Sequence, residues 1–432
     1  MSQRPLRFYE SICLPSNINF MLSLECSALV PEHIKTAFRM IKKRHPYFRM
    51  KIKRNNNGSA EFIEMISKEE LETVFLERFE VTSEKEFENW EARLIAIGSK
   101  PHDSSQSTFY LELCSFNKTR HQLFACVNHS GIDGPGVFQA IRDFSFYLDS
   151  VLSENNLAVE SKQFLDIHES YVHNFNLDEL RKEPIIENFM SPVEAMDKEN
   201  TSNPFISSKF YQFDEHVTKS LIEMCKKNNT TIQAALSTAV MVALMNSKRN
   251  VEDKTKFVNS CPCNMRSYLK DVCADDMICG SAALTWQQEV YKEDNLWNIV
   301  RDNTEKIKNC VNLNDGLKWW VKLVNSIKSQ GYSIMSSSMG VISIDKPKNF
   351  EFKDLRFMGS AYEMVPNVAG IMTHAFTFLD RFTFNFSYTY PALNNQWAEI
   401  FSENINQVLL HFLNDESEKM NLKNLLETLR RH

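Results

Sequence analysis

The stretch Asn128-His129-Ser130-Gly131-Ile132-Asp133-Gly134 stands between two segments of different pattern. The apolar run Leu123 to Val127 before it is typical of a strand. After it, apolar residues recur at the spacing of a buried helix face, namely Val137, Ala140, Ile141, Phe144 and Leu148. A histidine and an aspartate four positions apart therefore lie where a strand is followed by a helix. We interpret this junction as the candidate functional site.

His129 is the residue of this junction that is best suited to remove a proton. The unperturbed pKa of histidine lies close to ambient pH, which makes it the default general base. Asp133 could orient the imidazole directly, as the carboxylate of a catalytic triad does, or hold the loop through an ion pair with a distant arginine. The short spacing favours the second role. Three glycines let the loop fold tightly, namely Gly131, Gly134 and Gly136.

Three other interpretations of this pair stay open. His129 could be a histidine at the edge of a core, which is the commoner role of an arbitrary His-x-x-x-Asp pair. The pair could bind a metal, although the sequence shows no third ligand beside it. A serine or cysteine nucleophile could lie nearby, although the chain contains no Gly-x-Ser-x-Gly elbow. The strand before the pair, the helix after it and the glycines favour the functional interpretation.

The composition limits the classes of protein to which the chain can belong. A chain of 432 residues is too long to fold around one hydrophobic core of ordinary size, so two domains of roughly 200 residues are expected. The net charge of −6 and the pI near 6.1 argue against nucleic acid as a partner. The basic run Lys42-Lys43-Arg44 is interpreted as a solvated helix end.

The cysteines and the hydropathy predict a cytoplasmic protein. The ten cysteines show no Cys-x-x-Cys spacing, and Cys261 and Cys263 are too close for a paired zinc knuckle, so no metal is expected. No signal region and no run of 18 apolar residues occurs. Peripheral contact with a lipid membrane stays open, because leucines at 422, 425, 426 and 429 share one helix face. Docking of that face on the protein itself is the commoner role.

The chain is expected to divide at residues 186–205. Periodicity is lost there, and Ser191-Pro192 and Ser202-Asn203-Pro204 are typical of a linker. This division predicts an N-terminal lobe, 1–185, which carries the His129 junction, and a C-terminal lobe, 206–432. Helices and strands alternate in both, which predicts an α/β or α+β protein.

Local patterns predict individual elements. Predicted helices cover residues 30–44, 85–96, 137–148, 217–227, 232–243, 294–310 and 315–328. Predicted strands cover residues 12–25, 48–52, 109–114, 123–127, 256–261, 332–344 and 374–390. The strands at 109–114 and 123–127 are joined by a polar turn, so a hairpin leads into the His129 loop. Thr231 is predicted to cap the helix that follows it.

The segment Val127 to Gly134 resembles the His-x-x-x-Asp-Gly signature of the CoA-dependent acyltransferase superfamily. That group includes chloramphenicol acetyltransferase, the condensation domains of peptide synthetases, plant acyltransferases and fungal alcohol acetyltransferases. A second histidine often precedes the catalytic one. Asn128 stands there in this chain, a change that the alcohol acetyltransferase branch tolerates. The Asp-Phe-Gly-Trp-Gly segment of the plant branch is absent. The resemblance is greatest to the alcohol acetyltransferase branch.

Two further stretches agree with the family in order and spacing. Pro262 to Leu269 resembles the segment whose arginine forms an ion pair with the motif aspartate, and that arginine would be Arg266. Ser336 to Val341 resembles the Ser-Asn-x-Gly segment that lines the family's tunnel, with Ser338 where asparagine is usual and Gly340 in place. Ser337, Ser338 or a backbone N–H would then be the donor to the oxyanion.

The resemblance implies two chloramphenicol-acetyltransferase-like lobes, each a mixed sheet flanked by helices, with a tunnel between them. Acyl-CoA would be the co-substrate, with acetyl-CoA as the expected donor and no bound cofactor. His129 would deprotonate an alcohol-type acceptor, which attacks the thioester without an acyl-enzyme. Asp133, Gly134 and Arg266 would support the site structurally. We expect a monomer with small-molecule partners.

Two alternatives to this function stay open. The protein could be a stand-alone condensation-type domain whose donor is bound to a carrier protein. It could also be a relative without chemistry that binds a hydrophobic ligand or a partner, as the changes at Asn128 and Ser338 allow. Three further residues are interpreted as structural: His374 at a strand end, and Trp319 and Trp320 as helix packing rather than a gate.

Overall fold

The computed structural model describes residues 3–100, 103–167, 175–190, 205–248, 252–361, 371–414 and 419–429. Its strands are β1 (Gln3–Pro5), β2 (Ser16–Glu25), β3 (Met50–Arg54), β4 (Ala60–Glu64), β5 (Leu76–Val81), β6 (Phe109–Phe116), β7 (Arg120–Asn128), β8 (Phe205–Gln212), β9 (Lys254–Asn264), β10 (Ser281–Tyr291), β11 (Ile334–Ile342), β12 (Glu351–Ala361), β13 (Met372–Phe378) and β14 (Arg381–Tyr390). Its helices are α1 (Phe8–Cys13), α2 (Pro31–Arg44), α3 (Lys68–Glu72), α4 (Glu84–Glu88), α5 (Trp90–Ser99), α6 (Gly134–Leu152), α7 (Leu177–Lys182), α8 (Glu215–Lys227), α9 (Ile232–Asn246), α10 (Leu296–Asn312), α11 (Asp315–Val324), α12 (Asn395–His411) and α13 (Leu422–Thr428).

The chain forms two compact units, and each contains segments that are distant in sequence. The N-terminal unit comprises Met1–Ser170, Arg266–Gly280 and Ile342–Met364, and the C-terminal unit comprises Tyr171–Met265, Ser281–Val341 and Val365–His432. Two segments beyond residue 206 therefore belong with the N-terminal unit. The predicted lobe boundaries, 1–185 and 206–432, stay a prediction, and residues 191–204 of the predicted linker lie outside the described residues.

The N-terminal unit is built on a mixed five-stranded sheet in the order β12-β2-β7-β6-β5, and β1, β4 and β3 form a smaller sheet. Only the β5–β6 pair of the larger sheet is parallel. Helices α2 and α6 pack together through aromatic residues, with the ring centroids of Phe38 and Phe144 5.2 Å apart. Phe38 also lies 5.5 Å from Phe109 of β6. The helix face predicted from Val137 to Leu148 is buried here, as its spacing indicates.

The C-terminal unit contains a mixed six-stranded sheet in the order β10-β9-β11-β13-β14-β8. Helix α9 is buried on all sides, because every residue from Ala234 to Asn246 is shielded from solvent. The Thr231 side chain accepts a hydrogen bond from the backbone N–H of Ala234 at 3.1 Å, so the predicted cap is present. Both units thus have the predicted composition of a mixed sheet flanked by helices.

Several predicted elements differ in extent from the observed ones. The strand predicted from residue 12 begins at Ser16, because residues 8–13 form α1. The helix predicted at 85–96 is broken at Asn89 into α4 and α5. The strand predicted at 374–390 is a hairpin, β13 and β14, whose turn residues Leu379 and Asp380 have φ of 48° and 56°. An alternating pattern does not reveal such a two-residue turn when no glycine or proline marks it.

The run Lys42-Lys43-Arg44 is not the solvated helix end that its charge predicts. Lys42 is 2% exposed, and its Nζ donates to the carbonyls of Glu70 at 2.7 Å and Thr73 at 2.9 Å. Burial lowers the pKa of Lys42 to about 8. Only Lys43 of the three is exposed, since Arg44 pairs with Asp143 and Asp275. Lys42 and Arg44 of this run therefore take part in the internal contacts of the N-terminal unit.

The C-terminal leucine face is covered by the protein itself. Leu422, Leu425, Leu426 and Leu429 are all buried in the core of the C-terminal unit, together with residues of α9 and α12. This agrees with the docking role expected for that face. Among the described residues, the structure contains no helix with both the length and the apolar character needed to cross a bilayer.

Candidate active site

His129 follows directly after β7, in a single 3₁₀ turn that spans His129–Gly131. The side chain of Asn128 holds this turn. Its Oδ1 accepts hydrogen bonds from the Ser130 backbone N–H at 3.0 Å and from the Ser130 hydroxyl at 2.6 Å. Its Nδ2 donates to the carbonyl of Leu14 at 2.9 Å. Asn128 therefore has a structural task in this chain, which explains an asparagine at the position before the motif histidine.

The hydrogen bond made by Nδ1 determines the tautomer of His129. Nδ1 lies 2.7 Å from the carbonyl oxygen of Ile132. A carbonyl oxygen can only accept, so Nδ1 carries the proton, and in the neutral imidazole Nε2 then carries the lone pair. The ring is half-buried, and Nε2 has no hydrogen-bond partner among the described residues. This is the arrangement required of a general base whose other nitrogen is tied to a local acceptor.

Asp133 holds the loop. Its Oδ1 accepts hydrogen bonds from the Gly136 backbone N–H at 3.0 Å and from Arg266 Nη2 at 2.8 Å, so it is also the N-cap of α6. Its Oδ2 accepts from Arg266 Nη1 at 2.8 Å and from the Gly280 backbone N–H at 3.0 Å. The imidazole is oriented by the Ile132 carbonyl instead. Of the two roles open for Asp133, the geometry therefore favours the structural one.

The predicted ion pair of Asp133 with Arg266 is present and buried, with the two side chains 0% and 3% exposed. Burial lowers the pKa of Arg266, but the charge and hydrogen bonds of Asp133 raise it above its ordinary value on balance. The guanidinium also donates to the carbonyls of Asp276 at 2.9 Å and Ile278 at 3.3 Å. Arg266 thus organises the whole segment 266–280 around the motif aspartate.

Gly131 is required by a close approach to Tyr47. A Cβ at position 131 would lie 2.2 Å from the ring of Tyr47. The Tyr47 ring is fully buried, and its hydroxyl donates to the carbonyl of Asn128. Burial raises the pKa of Tyr47 well above its ordinary value, so it remains a donor. Tyr47 therefore packs against the His129 turn and leaves no room for a side chain at position 131.

Two cysteines lie beside His129 that the sequence does not reveal. The Sγ of Cys279 is 3.6 Å from Nδ1 of His129, and the ligand atoms of Cys13, His129 and Cys279 all lie within 4.8 Å of one another. A hydrogen bond from Cys279 lowers the pKa of the Cys13 thiol, whereas burial raises that of Cys279. Cys13 and Cys279 are 266 positions apart, so no spacing rule could have paired them.

Ser337, Ser338 and Gly340 all lie on β11 of the C-terminal unit. The backbone N–H of Ser338 donates to Oε1 of Gln233 at 2.7 Å, so this amide is already engaged and cannot serve an oxyanion. The hydroxyls of Ser337 and Ser338 stay candidates. Gly340 has φ of +80°, which explains a glycine there. His129 belongs to the N-terminal unit, and a meeting of these serines with it stays a prediction.

The other three residues lie on elements of the C-terminal unit. His374 lies within β13, opposite Asn385 of β14, rather than at a strand end. Trp319 and Trp320 are on α11, and Trp320 is buried with its Nε1 donating to the carbonyl of Ser281 at 3.0 Å. The packing role predicted for Trp320 agrees with this burial.

Solved structures share this fold, although no protein-family model and no curated protein matches the sequence. The first condensation domain of the calcium-dependent antibiotic synthetase aligns with a TM-score of 0.74 at 12% identity, over 98% of this chain and 99% of that one. The trichothecene 15-O-acetyltransferase TRI3 from Fusarium sporotrichioides aligns with a TM-score of 0.71 at 13% identity, over 95% of each chain. Polyketide synthase associated protein 5 from Mycobacterium tuberculosis has a TM-score of 0.71 at 12% identity, over 95% and 98%.

These alignments establish the fold, because they extend over nearly all of each chain. The chain has the fold shared by a condensation domain and by the TRI3 15-O-acetyltransferase, as its motifs predict. At 12–13% identity they carry no information on substrate or donor.

Proposed function

We propose that the protein is an O-acyltransferase that moves an acyl group from acyl-CoA to the hydroxyl of an alcohol-type acceptor. The observation that carries the proposal is the 2.7 Å contact between Nδ1 of His129 and the Ile132 carbonyl oxygen, from which the tautomer follows. Nδ1–H is bound to the Ile132 carbonyl, and Nε2 keeps a lone pair to accept a proton. The fold supports the reaction class, since an O-acetyltransferase has the same architecture.

In the proposed reaction, Nε2 of His129 accepts the hydroxyl proton while the acceptor oxygen attacks the thioester carbonyl. The tetrahedral intermediate then collapses, the carbon–sulfur bond breaks, and the CoA thiolate takes the proton from the imidazolium. The products are the ester and free CoA, and no acyl-enzyme forms. Nδ1–H stays on the Ile132 carbonyl throughout, so each turnover returns the starting tautomer. A base of this kind contributes about 10²–10⁴-fold, in addition to the gain from positioning.

The negative charge that develops on the thioester oxygen needs a hydrogen-bond donor. We assign this task to the hydroxyl of Ser337 or Ser338. The engagement of the Ser338 amide by Gln233 excludes that backbone N–H. Asp133, Gly134 and Arg266 keep their structural role, because the carboxylate and the guanidinium are bound to each other.

The proposal is tested first by native mass spectrometry of the purified protein against an acyl-CoA series, followed by an acceptor screen that measures release of the free CoA thiol. His129→Ala should lower kcat/KM about 10²–10⁴-fold while the variant stays folded. His216→Ala, an exposed histidine on α8, is the matched control and should keep full activity. Full activity in His129→Ala would disprove the base.

A second candidate is a condensation-type reaction with a donor bound to a carrier protein. The likeness to condensation domains favours it. Turnover with an acyl-carrier protein and none with free acyl-CoA would support this candidate over the first. Tight retention of an acyl ligand with no turnover from either donor would indicate a binding protein and overturn both.

A further inference from the structure

Two cysteine thiols of the N-terminal unit lie close to the imidazole of the candidate base. Cys13 ends α1, His129 follows β7, and Cys279 lies in the segment that Arg266 organises. Both cysteines are buried, and His129 is half-buried. The three ligand atoms lie within 4.8 Å of one another. The proposed transfer reaction uses neither thiol.

The spacing matches a tetrahedral zinc site. With a Zn–S bond of about 2.3 Å and a Zn–N bond of about 2.0–2.1 Å, a tetrahedral ion holds its sulfur and nitrogen ligands about 3.6 Å apart and two sulfurs about 3.8 Å apart. The observed separation of Cys279 Sγ from His129 Nδ1 is 3.6 Å. The Sγ of Cys13 lies within 4.8 Å of the Sγ of Cys279 and of a ring nitrogen of His129, so shifts of about 1 Å complete the geometry.

We propose that Cys13, Cys279 and His129 form a binding site for a soft divalent metal ion, with Zn²⁺ as the expected ion. Two thiolates and one neutral imidazole select Zn²⁺ over Mg²⁺ or Ca²⁺, which prefer oxygen ligands. The charge of Zn²⁺ is balanced by the two thiolates, so the buried complex carries no net charge. Three protein ligands leave the fourth position for water.

Metal binding changes the protonation of His129. Cys13 and Cys279 each release one proton to become thiolates. Nδ1 must give up its proton to bind the ion, and its hydrogen bond to the Ile132 carbonyl is lost. The imidazole then carries its proton on Nε2, where the proposed reaction needs a lone pair. Zn²⁺ therefore inhibits transfer, an effect that rests on the proposed function, whereas the binding itself does not.

The test uses the reduced, metal-free protein and Co²⁺ as a spectroscopic substitute for Zn²⁺. The wild-type protein should bind one Co²⁺ with the near-ultraviolet charge-transfer band of thiolate ligands, and Zn²⁺ but not Mg²⁺ should displace it. Cys13→Ala and Cys279→Ala should each weaken binding at least tenfold. Cys114→Ala, a buried cysteine on β6, should bind as the wild type does. At a pH below the pKa of both thiols, two protons should be released per Zn²⁺ bound.

Each outcome decides one part of the proposal. A missing charge-transfer band, or a band that persists when Cys13 and Cys279 are both alanine, would overturn the site. Inhibition of turnover by Zn²⁺ at the concentration that fills the site, lost in Cys13→Ala, would support the coupling to His129. Binding of Zn²⁺ with unchanged turnover would overturn that coupling. If the protein shows no acyl transfer at all, the proposed function fails and the spectrum still decides the site.

Discussion

Asp133 and Arg266 are 133 positions apart in sequence, yet they form a two-pronged ion pair in which both N···O distances are 2.8 Å. The pair is almost fully shielded from solvent. It joins the start of α6 to the segment 266–280, and the His129 turn lies directly before it. The position of the candidate base therefore depends on Arg266 and the segment 266–280, which lie far from His129 in sequence.

Asp133→Asn should destabilise the N-terminal unit by about 3–5 kcal/mol, because Arg266 would remain buried without a matching charge. Equilibrium denaturation in urea measures the change. Asp178→Asn is the matched control, since Asp178 pairs with Arg181 at the surface, and a surface pair contributes about 0–1 kcal/mol. Normal stability of Asp133→Asn with an altered pH profile of turnover would instead make Asp133 an orienter of the imidazole and contradict the structural role.

Gly131→Ala should lower stability by about 1–3 kcal/mol, because the added methyl overlaps the Tyr47 ring in a well-packed core. Tyr47 is unable to yield, since it is buried and bound to the Asn128 carbonyl. Thermal unfolding of the variant measures the loss. The control is Gly331→Ala, where the nearest atom to a new Cβ is 3.6 Å away. Equal melting temperatures for the two variants would mean that the ring moves freely.

Lys42 should make stability rise between about pH 7.5 and 9.5. Its folded pKa of about 8 lies below the unfolded value of about 10.4, so the folded protein loses this proton first. The buried charge of Lys42 therefore destabilises the folded protein. This effect on the free energy of unfolding is fully present below about pH 8 and disappears as the pH approaches about 10.4. A neutral amine still has two N–H groups for the carbonyls of Glu70 and Thr73.

The measurement is the free energy of unfolding of the wild type minus that of Lys42→Met at the two pH values. The difference should shift in favour of the wild type by about 2 kcal/mol. Lys43→Met, at the exposed neighbouring position, should show no such shift. A pH-independent difference for Lys42→Met would mean that Lys42 titrates alike in the folded and unfolded protein.

Local sequence patterns predict the parts of this fold that depend on neighbouring residues. The strand before His129, the helix after it and the Thr231 cap are of this kind, because periodicity and capping act within a few positions. The pairing of β12 with β2 joins residues more than 300 positions apart, and no local pattern specifies it. The break of α4 from α5 at Asn89 also escaped prediction, since both helices continue the same apolar spacing.

The candidate site divides in the same way. His129 and Asp133 are visible as a motif, and Arg266 is visible through its likeness to a family segment. The sequence does not identify Cys13 and Cys279 as site residues. A cysteine among apolar residues gives the same sequence pattern whether its thiol packs in a core or faces a histidine. Asn128 is understood only when its contacts with Ser130 and Leu14 are known.

Because the N-terminal unit is discontinuous in sequence, it cannot finish folding until its later segments have been synthesised on the ribosome. Residues 1–170 emerge first, but Arg266 and β12 are still to be made. At about 5–20 residues per second, the roughly 190 residues to the end of β12 take about 10–40 s. For about the first half of this interval Asp133 lacks its arginine, and throughout it β2 has an open edge that can pair with another chain. The nascent chain must therefore avoid aggregation until β12 has been synthesised, and not only until residues 1–170 are complete.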